Sequence, residues 1–381
     1  MQLPNGFRSS GVKAFIKKSG NPDLALIVSD APCAWALSTT QNLAAAASVL
    51  RARVLYSSGM ALQAIVVNAG NANCVTGEQG VRTDRRMAEI AAQELNLKTG
   101  LVLTASTGVI GVQLPVEKLE VGIPAAGLAL SEDVTSAATA IMTTDLTMKV
   151  AEATLNGGAR VVGFCKGSGM IHPNMATMLA FVVTDAALEQ DALRSAFAGI
   201  VARTFNAITV DGDTSTNDMA VVMANGRVAC DARGALNAIE DVMRDLAKQI
   251  ARDGEGATKL LTVNVRGAPS ESDALKAART VAGSSLLKSA VYGNDPNWGR
   301  ILAALGRSDV IFQPTQASVS VQGIAVFAGQ PLEFDQRAAS SAMRAEEVVI
   351  DVDLGAGLAS GTAWGCDLTE QYVRINAEYT T

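Results

Sequence analysis

The stretch that most constrains this chain runs Lys166-Gly167-Ser168-Gly169-Met170-Ile171-His172-Pro173-Asn174-Met175-Ala176-Thr177 and then straight into Met178-Leu179-Ala180-Phe181-Val182-Val183-Thr184. Two glycines, a proline and an asparagine supply turn chemistry, and the apolar run that follows reads as a buried strand. The fold must therefore hold a sheet with a pliable loop arriving at the mouth of one of its strands. Thr177 stands at that junction, on a rigid element beside a flexible one, where a nucleophile can be held in one geometry. The competing reading is an ordinary first strand residue after an ordinary turn.

Composition excludes several function classes. At 381 residues and 49% apolar, the chain can bury one large core or two ordinary ones without disulfides or metal. With 31 basic against 37 acidic residues, the net charge of −6 offers no footprint for nucleic acid and no polybasic anchor for a membrane. Cys33, Cys74, Cys165, Cys230 and Cys366 are widely spaced and contain no C-x-x-C pair, which fits reduced thiols in the cytoplasm and neither a zinc site nor a disulfide frame. The N-terminal segment lacks a signal-peptide core, and no uncharged apolar stretch is long enough to span a bilayer.

His172 is the only histidine. A metal site built on several imidazoles is thus impossible within one chain, and a Ser-His or Cys-His arrangement would have to use His172 itself. A threonine nucleophile then needs another base. The remaining precedent is the N-terminal nucleophile, whose own α-amine titrates near neutrality once the preceding peptide bond is cut. This predicts cleavage between Ala176 and Thr177, where a small alanine lets the hydroxyl approach the preceding carbonyl for an N-to-O acyl shift.

Residues 166–181, together with Asn68-Ala69-Gly70-Asn71-Ala72-Asn73, Ser106-Thr107-Gly108-Val109-Ile110-Gly111, Thr209-Val210-Asp211-Gly212-Asp213-Thr214-Ser215-Thr216-Asn217-Asp218 and Asp295-Pro296-Asn297-Trp298-Gly299-Arg300, closely resemble the ornithine acetyltransferase (glutamate N-acetyltransferase) family. The motifs occur in the family's order over nearly the whole chain, although residues 36–42 and 73–77 follow its pattern loosely, which bears on substrate preference. The resemblance implies an α/β fold, a layered α/β/β/α sandwich with mixed sheets and a C-terminal α/β lobe. It also implies self-cleavage into an α chain, residues 1–176, and an intertwined β chain, residues 177–381. These are not independent folding domains. Two copies of each would assemble. The implied reaction moves the acetyl group of N-acetylornithine to Thr177 and then to glutamate, in arginine biosynthesis, without metal or organic cofactor. Some members also take acetyl-CoA as co-substrate.

The resemblance also assigns roles to particular residues. Thr107 and Gly108 match the oxyanion-hole pair, offering a hydroxyl and a backbone N–H at the expected end of a strand at residues 101–104; removing such a donor typically costs ~3 kcal/mol of transition-state stabilisation. Thr143, Lys166, Thr177, Glu255, Asn376 and Thr381 match substrate-binding positions. A lysine near the nucleophile can hold a substrate carboxylate, and a glutamate suits a ligand carrying ammonium groups.

Two motifs are rejected. The loop Asp253-Gly254-Glu255-Gly256-Ala257-Thr258-Lys259 lacks the Gly-Lys-Ser/Thr ending of a phosphate loop, and the segment starting at Asp211 fails as a calcium loop because Thr216 and Val222 stand where Gly and Glu are needed. The latter reads as a structural loop lining the site, and residues 294–300 as a helix start that packs. Strands are expected at 64–68, 178–184, 219–224, 260–265, 317–321 and 348–352, and helices at 83–95, 187–205, 235–252, 272–282 and 336–346. Two other classes remain open at this point: a related self-processing aminopeptidase that releases its acyl group to water, and an unprocessed binding protein.

Overall fold

The computed structural model describes residues 1–172 and 178–378. Its strands are β1 (Phe7–Val12), β2 (Leu24–Thr39), β3 (Leu62–Asn71), β4 (Val102–Val109), β5 (Lys149–Thr154), β6 (Arg160–Lys166), β7 (Leu179–Ala186), β8 (Met219–Val228), β9 (Leu260–Ala268), β10 (Ser318–Val321), β11 (Ile324–Ala328), β12 (Glu347–Asp353) and β13 (Ala359–Cys366). The helices are α1 (Ala47–Ser57), α2 (Gly77–Glu94), α3 (Val116–Leu128), α4 (Thr135–Ile141), α5 (Gln190–Arg203), α6 (Ala232–Arg252), α7 (Glu271–Ala282), α8 (Ser285–Tyr292), α9 (Trp298–Gly306), α10 (Gln336–Ala342) and α11 (Glu370–Glu378). Two mixed sheets result. The larger has the order β4-β3-β2-β8-β7-β6-β5 with β1 added on β2, and the smaller the order β11-β10-β12-β9-β13.

The long strand β2 turns the larger sheet into two layers. Its first residues pair with β1 and β3, the register slips between Val28 and Cys33, and from Ala34 onward it pairs with β8. Pro32 sits in that slip, as expected of a residue that cannot donate to a ladder. Beyond it the strand belongs to the second layer, so the two halves of the sheet face each other. Ile27, Ile65, Val67 and Leu103 from one half meet Phe164, Phe181, Val183 and Val221 from the other in a continuous buried core. The period of two along each strand sends the alternate residues outward: Leu26, Val66 and Val102 pack under α2 and α3, while Val161, Val182 and Val222 pack under α5 and α6. The layers are therefore helix, sheet, sheet, helix.

Helix α6 shows how sequence sets this packing. Asp231 caps it by accepting the Gly234 amide at 2.7 Å, and Ala235, Ile239, Val242, Met243, Leu246 and Ile250 repeat at helical spacing on its buried face. Gly163 of β6 lets that face approach closely, because a Cβ there would stand 2.8 Å from both Leu246 and Val242. The smaller sheet buries one face under α7, α8 and α9, and joins the larger body where Thr209 donates to the Trp364 carbonyl at 3.0 Å. Among the described residues no helix is long and apolar enough to cross a membrane.

Most expected elements are present, with two differences that matter for the site. The strand expected at 101–104 begins at Val102 and runs on to Val109, because β3 continues through Asn71 and supplies a parallel partner throughout. Thr107 and Gly108 are thus held inside a paired strand and do not follow its end. Strand β2 was not expected at all, since Asp30 and Pro32 interrupt its alternation. Residues 294–300 do start a helix: the Asn297 side chain accepts the Arg300 amide at 3.1 Å, and Trp298 stacks on Phe327.

The inter-layer core carries a direct prediction. Phe181 is fully buried and its ring lies 5.7 Å from that of Phe164 across the β6–β7 pair. Phe181→Ala is expected to lower unfolding free energy by about 3–5 kcal/mol, read as a shift in urea midpoint at unchanged slope.

Candidate active site

One cleft, with a cavity volume of about 100 Å³, lies where the strand ends of the larger sheet meet the 253–258 loop and α11. Thr107, Gly108, Thr143, Lys166, Glu255 and Asn376 all line it, together with Thr144, Ser168, Gly169 and the segment from Ser215 to Asn217. Six residues from five separate parts of the sequence are thus gathered in one place. The remaining expected site residues, Ala176, Thr177 and Thr381, lie outside the described residues. His172 is not among the lining residues; its Nδ1 sits 3.1 Å from the Thr209 hydroxyl, and burial holds the ring below its ordinary pKa. Among the described residues no group of three or more His, Cys, Asp or Glu side chains is placed to hold a metal ion.

Gly108 is a position only glycine can fill. Its φ is 133°, and a Cβ would fall 2.3 Å from the carbonyl carbon of Gly70 on β3. Two backbones therefore touch here, and the strand that carries Thr107 is pressed against its neighbour. Asn217 locks the same corner by donating to the carbonyls of Ala72 and Ser106 at 2.7 and 2.8 Å. The 211–218 segment is the structural lining loop expected from its composition. Asp211 takes the amides of Met170 and Ile171 at 2.5 and 2.9 Å, which holds Met170 at a φ of 58° beside the cleft.

A buried charged triad organises the opposite wall. Asp145 accepts from Lys149 Nζ and from the Gly167 amide, both at 2.7 Å, and from the Thr143 amide at 2.9 Å. Lys149 also reaches Asp253 at 2.5 Å, and Asp253 accepts the Leu146 amide at 3.1 Å and, through its backbone carbonyl, the Ser168 hydroxyl at 2.6 Å. Burial disfavours the Asp145 carboxylate, but Lys149, Lys166 and the amide donors outweigh it and hold the group below its ordinary value. For Lys149 burial works against the ammonium, yet Asp145 and Asp253 leave it above its ordinary value. The next residue after Asp253 and Gly254 is Glu255, whose amide donates to Ser168 and whose carboxylate accepts from Asn376 at 2.8 Å. Glu255, α11, Ser168 and Thr143 are therefore positioned together.

Lys166, only 3% exposed, ends β6 in the middle of this array. Among the described residues its ammonium makes no hydrogen bond or close ion pair, in contrast to Lys149 a few residues away. Burial pulls its pKa down, opposed by Asp145 and Asp218. A buried cation left without a partner is costly unless a ligand or reacting group supplies one. Sequence reasoning found Lys166 but missed Asp145, Lys149, Asp253 and Asp218. The one legible trace was a lysine opening an otherwise half-buried strand.

The triad makes the pH behaviour of stability predictable. Asp145 contributes fully above its unfolded pKa of about 3.9 and loses its contribution as pH falls through its lower folded value; Lys149 contributes fully below about 10.4 and loses it as pH rises through its higher folded value. Lys149→Met leaves buried carboxylates unpaired and is expected to cost about 3–5 kcal/mol at neutral pH. That penalty should shrink as the carboxylates take up protons in acid, which urea unfolding of both proteins between pH 4 and about 8 will show.

The chain can now be set against known proteins. The ArgJ family profile matches residues 8–381. The arginine biosynthesis bifunctional protein ArgJ of Thermus thermophilus is 59% identical over 382 residues, covering 100% of both chains. Its counterpart from Deinococcus radiodurans is 57% identical, covering 100% of this chain and 98% of its own. Among solved structures, the arginine biosynthesis bifunctional protein ArgJ of Bacillus halodurans is 44% identical with a TM-score of 0.51, and its match covers 52% of this chain and 98% of that one. This chain belongs to the ArgJ family.

Proposed function

We propose that the chain is a glutamate N-acetyltransferase of arginine biosynthesis, which moves the acetyl group of N2-acetylornithine to glutamate through an ester on Thr177. The observation that carries this reading is the convergence, in a member of the ArgJ family, of Thr107, Gly108, Thr143, Lys166, Glu255 and Asn376 on one cleft. The segment that leads to Thr177 in the sequence starts at that same cleft, since Ser168, Gly169 and Met170 line it.

In the first half-reaction the Thr177 hydroxyl attacks the acetyl carbonyl, its proton passing to the α-amine of the same residue. The developing oxyanion is met by the Thr107 hydroxyl and the Gly108 N–H, and ornithine leaves with the proton. Glutamate then attacks the ester and takes the acetyl group, restoring the hydroxyl. Both substrates carry an α-carboxylate, which suits the unpartnered Lys166, and ornithine carries ammonium groups, which suit Glu255. An arriving carboxylate also favours the charged form of Lys166. Acetyl-CoA would enter as an alternative donor to the same threonine, and no metal or organic cofactor has a step to perform.

The α-amine of Thr177 exists only if the chain cuts itself between Ala176 and Thr177, giving residues 1–176 and 177–381, two copies of each forming the assembled enzyme. The length relation to the solved relative supports the cut: a crystal chain matched nearly end to end by about half of this chain is what a cleavage near the middle produces. The enzyme would act in the cytoplasm, on small molecules.

Intact mass under denaturing conditions tests the reading. The parent should give two fragments with masses of residues 1–176 and 177–381, and Thr177→Ala one full-length chain. Acetyl transfer from N2-acetylornithine should appear with glutamate as acceptor and vanish in the variant. Release of acetate to water in place of transfer would turn the reading to an aminopeptidase-like hydrolase, and a single chain in both proteins would sink the N-terminal-nucleophile mechanism.

A further inference from the structure

The two proposed oxyanion donors depend on the backbone that carries them. Thr107 is 4% exposed, and among the described residues its hydroxyl makes no hydrogen bond that would aim it. The Gly108 N–H points wherever its peptide plane points. Both donors ride on β4, which stands at the edge of the larger sheet. An edge strand has a ladder on one flank only, here the pairing with β3 that presses Gly108 against Gly70. That pairing does not tie β4 to the layer across the apolar core.

Asn217 makes the tie. It stands two residues before β8, in the opposite layer, and is 5% exposed. Its Nδ2 donates to the Ala72 carbonyl at 2.7 Å, just past the end of β3, and to the Ser106 carbonyl at 2.8 Å, inside β4. The Ser106 carbonyl shares one planar peptide unit with the Thr107 nitrogen, so holding the one fixes the other. Oδ1 accepts the Thr216 hydroxyl at 2.6 Å. Every polar group of the amide is thereby used, and turning it over would set its oxygen against two carbonyls. The anchor is itself anchored. Ala46, at the start of α1, donates its amide to the Thr216 carbonyl at 2.9 Å, and Thr40, at the end of β2, to the Asp218 carbonyl at 3.1 Å. Asp218 accepts the Met178 amide at 3.1 Å through Oδ1, and its Oδ2 is buried without a hydrogen bond among the described residues. Met219 donates to the Met178 carbonyl at 3.0 Å. Residues 216–219 are therefore fastened to β2, α1 and the approach to β7 before Asn217 reaches over to β4.

We propose that Asn217 is the positioning residue of the oxyanion hole, holding Thr107 and Gly108 in place from the opposite layer through the Ser106 carbonyl. The inference deepens the acetyl-transfer reading above and rests on it. A donor stabilises the transition state only where the developing oxygen arrives, whereas substrate binding tolerates small displacements of that donor. Both hydrogens of the Asn217 amide are spent on the two carbonyls, so it acts through them. The competing reading is a clamp that adds stability alone.

The test pairs Asn217→Ser with Asn217→Asp. Serine keeps one short donor, and aspartate keeps the shape but turns a carboxylate oxygen toward the two carbonyls. Turnover per cleaved chain, with cleavage counted by intact mass, should fall roughly tenfold to a hundredfold in Asn217→Ser and further in Asn217→Asp, while KM for N2-acetylornithine stays within about twofold of the parent. A lower melting temperature with parental kcat per folded enzyme overturns the proposal in favour of the clamp. Should Asn217→Asp not fold, Asn217→Ser decides alone. A second measurement needs neither cleavage nor turnover. Amide hydrogen exchange in the uncleaved Thr177→Ala chain, with and without Asn217→Ser, should quicken by about tenfold or more at Thr107 and Gly108 and stay unchanged in β9 and β12 of the smaller sheet. Equal protection of Thr107 and Gly108 in both chains overturns the proposal. If the parent itself transfers no acetyl group, the acetyl-transfer reading fails on that assay, and hydrogen exchange still decides what Asn217 holds.

Discussion

The cleft depends on one buried interaction, the Asp145–Lys149–Asp253 triad. Three charges sealed from water are a poor investment in stability by themselves, because desolvation consumes much of the Coulombic gain. What the triad provides is geometry. Its carboxylates also bind the amides of Thr143, Leu146 and Gly167, so the segment after α4, the end of β6 and the end of α6 are fixed to one another by bonds that tolerate little displacement. Apolar packing could hold these segments together, but it is indifferent to small slides, whereas short charge-assisted hydrogen bonds are directional.

The second constraint is steric. Gly70 and Gly108 bring two backbones into contact at the end of the β3–β4 pair, and Gly169 lets the Glu255 carboxylate lie where a Cβ would be only 2.4 Å away. Thr107 and Gly108, the proposed oxyanion donors, thus sit on a rigid ladder, and Gly169 lies against a charged wall it could not approach with a larger side chain. Helix α11 adds to that wall with no buried residues of its own, held by Asn376 to Glu255 and by Thr369 to the Gly256 carbonyl at 2.7 Å. Its attachment is polar and local to the site.

Much of this was legible in the sequence, and the exceptions have a common cause. Apolar runs and helical spacing gave β3, β7, β8, β9, β12, α6 and α7 to within a few residues, because each buries a face with a regular period. Strand β2 was invisible since Pro32 and Asp30 interrupt it where it passes from one layer to the next. Thr107, Gly108, Thr143, Lys166, Glu255 and Asn376 were named from motifs and the cleft gathers them all. The triad was not, because Lys149 and Asp253 are 104 residues apart and nothing local marks a lysine that will be buried between carboxylates.

Lys166 and Lys149 show why burial alone does not assign a role. Both are buried lysines near Asp145, but one has its carboxylates within hydrogen-bond reach and the other does not. Solvation is lost in both cases, so the difference lies in compensation: Lys149 is compensated by the folded chain, and Lys166 must be compensated by something that arrives or reacts. Asp218 poses the same problem with the opposite charge, on the other side of the β7 entrance. The stability to sustain both of these costs comes from the dry inter-layer core beneath.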